Sequence, residues 1–343
     1  MNFQKQSSPG KNGADIWVLY NAWRKQDGYT PADEAAVEDQ LRLAIEALRA
    51  LCISPKVYAI ASVADLAVRV NGPERPRLVL NFAEAFHGDA RKEMHVAALL
   101  ELLDLPHTGN SAKTLALAQD KALTKRLLEQ AGIATPKWAV FEGADFPDTN
   151  GLRPPLIAKP AREDASLGIS RESVCARPGE IEAAARKLFA AFRQPILIEE
   201  YIAGREINAA LLQKGGALEV LPFSEILFDG LPDGSPKITS YAAKWNADSA
   251  EYTGTPAVCP AAVEPGLKTR LEQTARAVFA LLEGKDYGRV DFRVDSAGNP
   301  WVLEYNPNPD ISSVSGFVRS LRAGGLDFAG FIRVLLENNR YYA

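Results

Sequence analysis

The sequence predicts a mixed α/β fold with more than one domain. Apolar runs at residues 16–20, 57–61 and 78–82 alternate with helical patterns at 31–51 and 93–103, which is typical of an open domain with a parallel sheet. Farther along, strands and helices mix without regular alternation, which favours an α+β arrangement. The length of 343 residues also exceeds what one ordinary core accommodates.

The pattern divides the chain into three predicted domains, residues 1–108, 109–203 and 204–343, with residues 1–14 expected to be disordered. In the second domain we expect helices at 112–131 and 178–193 and strands at 156–159 and 196–202. In the third we expect helices at 264–283 and 327–338 and a hairpin of strands at 290–294 and 301–306.

Composition excludes several classes of protein. With 47% hydrophobic and 24% charged residues, the chain is typical of a globular protein, and its net charge of −4 argues against nucleic acid as a partner. No apolar run approaches the ~20 residues of a membrane span, and the first residues lack the apolar core of a signal peptide. Three widely spaced cysteines fit a reducing compartment, so a cytoplasmic location is expected.

The predicted hairpin within residues 288–310 carries the clearest polar pattern. Arg289 and Asp291 are two residues apart, as are Glu304 and Asn306, so each pair shares one face of its strand. Carboxylate and amide oxygens are ligands that Mg²⁺ prefers, and a guanidinium stabilises a phosphoryl group in transfer. The pattern favours a magnesium nucleotide site, although a hairpin with one solvated face would look the same.

Two lysines add to this interpretation. Lys159 ends an apolar strand and precedes a loop, which is where α/β proteins place ligands. The loop contains Ser166 and Gly168, and glycine allows backbone amides to approach phosphate. Lys121, early in a helical pattern, fits the same role, although a solvated lysine is the simpler interpretation of that residue alone.

Further carboxylates and a third lysine are weaker candidates. Glu199 and Glu200 lie in a predicted strand and Glu206 follows the next turn, where carboxylates can accept hydrogen bonds from an adenine amino group and a ribose hydroxyl. Lys244 lies in residues 229–250, a long segment of the kind that closes over a site.

Several motifs occur together and in one order. They are Leu105-Pro-His-Thr-Gly, Asp120-Lys121, Ala158-Lys-Pro, Ile198-Glu-Glu-Tyr-Ile, Ala242-Ala-Lys-Trp, Arg289-Val-Asp and Glu304-Tyr-Asn-Pro. In that order the chain resembles the D-alanine–D-alanine ligase-like enzymes of the ATP-grasp superfamily, from Phe82 to Leu336. The resemblance implies a three-domain ATP-grasp fold, an N-terminal α/β domain followed by two subdomains that clamp ATP.

The resemblance also implies a reaction. A substrate carboxylate attacks the γ-phosphate of ATP to give an acyl phosphate, and an amine then displaces phosphate to form an amide. ATP and one or two Mg²⁺ ions, with Mn²⁺ as an alternative, are the implied cofactors. Small amino-acid or peptide substrates and a homodimer are the implied partners.

Matched position by position, the motifs imply three sets of residues. ATP would contact Lys121, Lys159, Ser166, Glu199, Glu200, Tyr201, Ile202, Glu206 and Lys244. Magnesium would be held by Asp291, Glu304 and Asn306, and catalysis would involve Arg289, Lys244 and Ser315. The substrate pocket would include His87, Trp245, Asp310 and Ser315.

The sequence departs from the family around the substrates. The family locks its lid with a glutamate–serine–tyrosine triad, but Ala165 and Trp245 stand at the serine and tyrosine positions, and Tyr20-Asn-Ala-Trp replaces the segment with the glutamate. Asp310 stands where the family has a glycine whose amide serves the oxyanion hole. These changes favour a ligase of the same reaction class with different substrates, and Asp310, Glu163 or Asp164 could face a cationic one.

Two other functions stay open. The chain could be a genuine D-alanine–D-alanine ligase of cell-wall synthesis with an unusual site, although the missing triad argues against it. It could also be a degenerate ATP-binding regulatory protein, although a pure binder would not need Arg289.

Overall fold

The computed structural model describes residues 15–22, 31–70, 72, 75–86 and 89–342, with the side chains of residues 31–34 outside that description. In this part of the chain, three sheets follow one another along the sequence. Strands in residues 16–82 form the first, strands in 138–200 the second, and strands in 205–306 the third.

The first sheet is parallel, as predicted. Its elements are β1 (Ile16–Asn21), α1 (Pro31–Ala50), β2 (Lys56–Ile60), α2 (Val63–Val70), β3 (Leu78–Phe82) and α3 (Glu93–Leu102). The strand order is β2-β1-β3, so the first strand is central, and its side chains are almost entirely buried. Helix α2 was not among the predicted elements, because it is short and buries only Leu66 and Val70.

The second sheet is antiparallel and is covered by a helix. Its segment contains α4 (Ala112–Gln119), α5 (Lys121–Gln130), β4 (Trp138–Phe141), β5 (Leu156–Pro160), β6 (Val174–Cys175), α6 (Pro178–Phe192) and β7 (Ile196–Glu200). The strand order is β4-β7-β5-β6. Phe141, Ile181 and Ile198 belong to the core between this sheet and α6.

One helix was predicted at residues 112–131, and this prediction was wrong. The structure has two helices, separated at Asp120, whose backbone is extended with φ −84° and ψ 95°. The Asp120 carboxylate accepts a hydrogen bond from the Leu123 amide at 3.1 Å and so caps α5. The break places Lys121 in the first turn of α5, with its side chain buried.

The third sheet is the largest. Its elements are β8 (Arg205–Lys214), β9 (Ala217–Val220), β10 (Ser224–Ile226), α7 (Tyr241–Trp245), α8 (Ala250–Thr253), β11 (Ala257–Val258), α9 (Pro265–Leu281), β12 (Tyr287–Val294), β13 (Pro300–Asn306), α10 (Gly316–Ala323) and α11 (Phe328–Asn338). The order is β11-β10-β8-β12-β13, with β9 paired to β8. The hairpin of β12 and β13 confirms the predicted one.

Apolar cores connect these segments. Leu48 of α1 and Phe331 and Leu335 of α11 lie in a core that also includes β1, β3 and Leu212 of β8. Leu128 of α5 lies in the core of the third sheet. The domain boundaries at 108 and 203 stay a prediction. No helix in the described part of the chain is long and apolar enough to cross a membrane.

Candidate active site

The β12–β13 hairpin brings four predicted residues together. In its register Arg289 lies opposite Asn306 and Asp291 lies opposite Glu304, and an irregularity follows directly after Asp291. Residues two apart on one strand share a face, and directly opposite residues are neighbours across the strands. The predicted gathering of a guanidinium, two carboxylates and an amide on one face is therefore confirmed.

Asp291 is the most strongly hydrogen-bonded carboxylate of this group. Both of its oxygens accept from Arg289, with Nε to Oδ1 at 2.7 Å and Nη2 to Oδ2 at 2.8 Å. Asn208 on β8 donates to Oδ1 at 2.7 Å, and Asn306 donates to Oδ2 at 3.0 Å. These bonds fix the carboxylate in one orientation, and Asn208 was not among the predicted site residues.

Glu304 is held as a carboxylate by nearby cations. Lys121 Nζ lies 3.5 Å from its Oε2. Burial by itself would raise the pKa of Glu304, but attraction from Lys121, Lys159 and Arg289 outweighs it and lowers the pKa to about 2. Glu304 is therefore ionised at neutral pH.

This group of side chains fits a magnesium ion. Among the described residues no cluster of three His, Cys, Asp or Glu side chains forms a metal cage. Mg²⁺ does not require one, because it takes one or two carboxylates from a protein and its other oxygens from phosphates and water. Asp291 and Glu304 supply two carboxylates on adjacent strands, and the Asn306 amide hydrogens bond these carboxylates, which leaves its oxygen free for a cation.

Lys159 and Glu199 form a buried ion pair on the second sheet. Lys159 Nζ lies 2.5 Å from Glu199 Oε1, and Lys125 Nζ lies 2.8 Å from Oε2. Burial raises the pKa of Glu199, but the two lysines outweigh it and the net shift is downward. Lys125, which the sequence reasoning missed, also donates to Thr135 Oγ1 at 2.7 Å.

The other predicted nucleotide contacts lie around the end of β7. The Glu200 carboxylate pairs with Arg153 at 3.0 Å. Arg293, a buried residue that was not predicted, donates to the Ile202 carbonyl at 3.0 Å and to the Tyr201 hydroxyl at 3.2 Å. The same guanidinium lies 3.3 Å from Glu206, which also accepts from Thr239 at 2.7 Å. Arg293 therefore connects three of the predicted contacts.

The loop after β5 meets the segment around α7. Ala165 and Ser166 have φ of 56° and 61°, a left-handed conformation that non-glycine residues seldom adopt. Ser166 Oγ donates to the Thr239 carbonyl at 2.9 Å, and Trp245 Nε1 donates to the Ala165 carbonyl at 3.0 Å. Lys244 Nζ lies 5.1 Å from the centre of the Trp245 ring. These bonds hold the two segments together, and both segments line the same cavity as the hairpin.

A cavity of about 750 Å³ joins most of these residues. Of the predicted site residues it is lined by Lys159, Ser166, Glu199, Glu200, Tyr201, Ile202, Glu206, Lys244, Trp245, Arg289, Asp291, Glu304, Asn306, Asp310 and Ser315. Lys121 lines a smaller adjoining space with Lys159, Ser166 and Glu304. His87 lies outside the described residues. We call the part of the cavity formed by Asp39, Asp310, residues 312–316 and Arg319 its far end.

An acidic pair supports the far end of the cavity. Gln40 Nε2 donates to Glu84 Oε1 at 3.0 Å and to Asp310 Oδ1 at 3.4 Å. Burial, and then repulsion by Asp310, raise the pKa of Glu84 to about 7. Glu84 was not predicted, although its position just after the parallel strand β3 is one where such folds place functional groups.

The acidic residues after β5 have partners within the protein. Lys121 Nζ donates to the Glu163 carbonyl at 2.5 Å, and the Glu163 carboxylate accepts from Gln194 at 2.6 Å. Asp164 lies 3.4 Å from Lys121 Nζ. That Glu163 or Asp164 faces a cationic substrate stays a prediction; in this structure the Asp164 carboxylate pairs with Lys121.

Comparison with known proteins decides the family. A family model described as the D-ala D-ala ligase C-terminus matches residues 127–337. A D-alanine–D-alanine ligase of Bordetella avium is 33% identical over 300 residues, which are 85% of this chain and 86% of that protein. The chain belongs to the D-alanine–D-alanine ligase family. An uncharacterized protein of Sinorhizobium fredii, y4sG, is 34% identical over 267 residues, 77% of this chain and 76% of that protein.

A solved structure agrees on the fold. The structure of D-alanine–D-alanine ligase from Bacillus anthracis complexed with ATP has a TM-score of 0.74 and 20% sequence identity, and the match covers 95% of this chain and 97% of that one. The predicted ATP-grasp fold is confirmed. The predicted reaction class is confirmed as well: this ligase is an ATP-dependent carboxylate–amine ligase, and its cofactors are ATP and Mg²⁺.

Proposed function

We propose that this ligase joins two amino-acid-like substrates other than a pair of D-alanines, through an acyl phosphate on the first. The observation that carries the proposal is the far end of the cavity. There Gln40 donates to both Asp310 and Glu84, and Asp310 lines the same cavity as the hairpin. A carboxylate there suits the ammonium group of a donor whose own carboxylate is consumed in the reaction.

The nucleotide is proposed to lie between the second and third sheets. Lys121, Lys159 and Lys244 would neutralise its phosphates, with the backbone at Ser166 beside them. Glu199, Glu200, Tyr201, Ile202 and Glu206 would surround its adenine and ribose. Asp291, Glu304 and Asn306 would hold Mg²⁺, which when bound neutralises phosphate charge.

Arg289 is the proposed catalytic guanidinium. Its Nε and Nη2 both bond Asp291, so the group is fixed before substrate arrives. A positioned guanidinium stabilises negative charge that develops as the donor carboxylate and then the amine react, without any rearrangement at that moment. Ala165, Ser166, Thr239 and Trp245 would keep water from the acyl phosphate.

A genuine D-alanine–D-alanine ligase is the second candidate. The name of the Bordetella avium relative, which is 33% identical over 85% of this chain, favours it. The changed lid residues Ala165 and Trp245 and the far-end residue Asp310 favour the first candidate. A cytoplasmic location and a homodimer are proposed with either.

Phosphate release from MgATP, measured with single and paired D- and L-amino acids and with mass spectrometry of the products, tests the proposal. We expect one pair to give a product equal to both masses minus water. Asp291→Asn should lower this activity at least about 100-fold, because it removes a magnesium ligand and the partner of Arg289. Asp145→Asn, at an exposed loop position, is the matched control.

Each outcome has a distinct meaning. A product from D-alanine alone would establish the second candidate and refute the first. Turnover of a mixed pair with no activity on D-alanine alone would establish the first. ATP binding without any product from the panel would count against both candidates.

A further inference from the structure

Arg319 lies at the far end of the cavity and has no role among those assigned above. It is on α10, one turn after Ser315, whose hydroxyl caps that helix by accepting from the Val318 amide at 3.2 Å. Both residues line the cavity that Arg289 also lines. Arg319 thus lines the same cavity as the proposed reaction centre.

The guanidinium of Arg319 is largely unpaired. It donates one hydrogen bond within the described part of the chain, from Nη1 to the Val314 carbonyl, although a guanidinium has five N–H donors. Its Nε is buried and has no partner there. None of the described carboxylates lies within ion-pair distance of it, whereas Arg289 and Arg293 each have one.

Arg319 is half-buried, and its buried, unpaired Nε is costly unless a hydrogen-bond acceptor completes it. A polar group removed from water without a hydrogen-bond partner destabilises the protein, and a charged one does so more strongly. Burial lowers the pKa of Arg319, and the positive charge of Arg289 acts in the same direction, against attraction from Cys259 and, more weakly, from Asp310. Arg289 and Arg319 both line the cavity, so an anion placed between them would be attracted by two guanidinium groups.

The reaction class supplies a suitable anion. The acyl donor loses its carboxylate to the new amide bond, so it brings no lasting negative charge to the cavity. An amino-acid acceptor reacts through its amine and keeps its own carboxylate throughout. That carboxylate must lie within a few bonds of the attacking nitrogen, and arginine binds carboxylates with two parallel hydrogen bonds.

We propose that Arg319 binds the carboxylate of the amine acceptor and so restricts acceptors to amino acids or short peptides with a free carboxylate. This inference rests on the proposed function and adds the acceptor class to it. Ser315 and Arg319, one turn apart on α10, form one wall of this acceptor site.

A double-mutant-style cycle tests the proposal, in which one side chain of the protein and one group of the substrate are changed separately and together. The wild-type ligase and Arg319→Met are each assayed with an accepted amino acid and with its α-carboxamide, which lacks the charge. We expect wild type to favour the acid over the amide by about 10-fold or more in kcat/KM, as hydrogen bonds to charged groups suggest. In Arg319→Met that preference should fall to within about threefold, mainly through KM. Arg333→Met, at an exposed site on α11, should keep the wild-type preference.

Other results would overturn the inference. An equal loss on acid and amide in Arg319→Met would mean that the side chain only supports the loop at Val314, and an unchanged preference would mean that the carboxylate lies elsewhere. Arg319→Lys, which keeps the charge, should retain part of the preference.

A binding measurement separates this inference from the proposed function. If wild type forms no amide from any pair, the proposed function fails, and the same acids and amides are titrated calorimetrically with a non-hydrolysable ATP analogue present. If wild type binds an acid more tightly than its amide and Arg319→Met does not, the inference about the acceptor site is supported. Binding of no acid at all would overturn it.

Discussion

Charged side chains around the cavity differ in how completely they are paired. Asp291 and Glu199 each accept hydrogen bonds or ion pairs on both oxygens, and both are buried. In the described structure, the Glu84 carboxyl group accepts one hydrogen bond, from Gln40. The Arg319 guanidinium donates one, to the Val314 carbonyl, and its Nε has no partner. Fully paired groups serve to fix geometry, whereas incompletely paired groups near a cavity are the ones that a substrate can complete.

Glu84 should make the stability of the free enzyme depend on pH. Its pKa is about 7 in the folded protein and 4.5 in an unfolded chain, so between these values the folded state holds a proton that the unfolded state releases. The free energy of unfolding should therefore fall as pH rises from about 4.5 to about 7 and level off above it. Glu84→Gln removes this contribution and should gain on the order of 1–2 kcal/mol over wild type between pH 5 and pH 8.

Urea unfolding followed by tryptophan fluorescence at several pH values measures the effect. Glu337→Gln, at an exposed site, is the control, and its free energy of unfolding should change with pH in parallel with that of wild type. Parallel curves for Glu84→Gln as well would show that burial and Asp310 do not raise the pKa of this carboxyl group in the folded protein.

Lys125 should contribute strongly to stability although it touches no proposed substrate. It is 1% exposed, and its amine holds Glu199 Oε2, Thr135 and the Pro136 carbonyl. Lys125→Met would leave Oε2 of the buried Glu199 carboxylate unpaired. We therefore expect a loss of about 3 kcal/mol in the free energy of unfolding.

An exposed ion pair provides the comparison for Lys125. Lys113 and Glu283 pair at 2.5 Å with side chains 63% and 58% exposed. Lys113→Met should cost less than about 1 kcal/mol, because water screens such a pair. Similar losses for both variants, measured by urea unfolding, would contradict the role given to Lys125.

At the scale of elements, the loop after β5 and the segment around α7 act together. Ser166 donates to Thr239, Trp245 donates to Ala165, and the Tyr241 amide donates to the Ile169 carbonyl at 3.0 Å. All three bonds end on backbone carbonyls, so they form although Ala165 and Trp245 stand where the resemblance assigns a serine and a tyrosine. In the proposed lid, the contact between the two segments therefore rests on a different set of bonds.

Trp245→Phe tests this lid contact. The substitution keeps an aromatic ring beside Lys244 but removes the indole N–H that bonds Ala165 at 3.0 Å. A looser lid should admit water to the acyl phosphate, so we expect more phosphate released per amide formed, by about two- to tenfold for one lost hydrogen bond. Trp138→Phe, which removes a surface bond to Glu129, is the control and should leave the ratio unchanged. An unchanged ratio in Trp245→Phe would exclude the indole from lid closure.

Helices and strands with a clear hydrophobic period were predictable from the sequence. The roles of single charged residues were not. The hairpin was predicted because alternation along β12 and β13 places Arg289 and Asp291 on one face. The break at Asp120 was missed because residues on both sides favour a helix, and an aspartate looks the same in a helix and at a cap. Glu84 and Arg319 were missed because a single charged residue gives no period, and their burial depends on distant segments that the sequence alone does not bring together.

At the scale of the whole molecule, the proposed nucleotide site combines side chains from the second and third sheets. Lys159 and Glu199 come from one sheet, and Glu206, Asp291 and Glu304 from the other, yet all line one cavity. A ligand that contacts both sheets stabilises the arrangement in which they lie together.

MgATP should therefore raise the thermal unfolding temperature of the whole chain. At about 100 times its dissociation constant a ligand adds about 2.7 kcal/mol, which for a chain of this size is a shift of roughly 5 °C. Differential scanning calorimetry with MgATP, with ATP plus EDTA, and with Mg²⁺ alone measures this, and MgATP should give the largest shift. Equal shifts with and without Mg²⁺ would contradict the metal site on the hairpin.

The shared core of α1 and α11 affects how the protein is made. Leu48 of the first helix packs with Phe331 and Leu335 of the last, so nearly the whole chain lies between partners in one core. During synthesis on the ribosome the apolar face of α1 emerges early and stays uncovered until α11 leaves the exit tunnel. We therefore expect nascent chains to depend on chaperones for most of translation, and chains that stop before α11 to aggregate rather than to accumulate as a folded fragment.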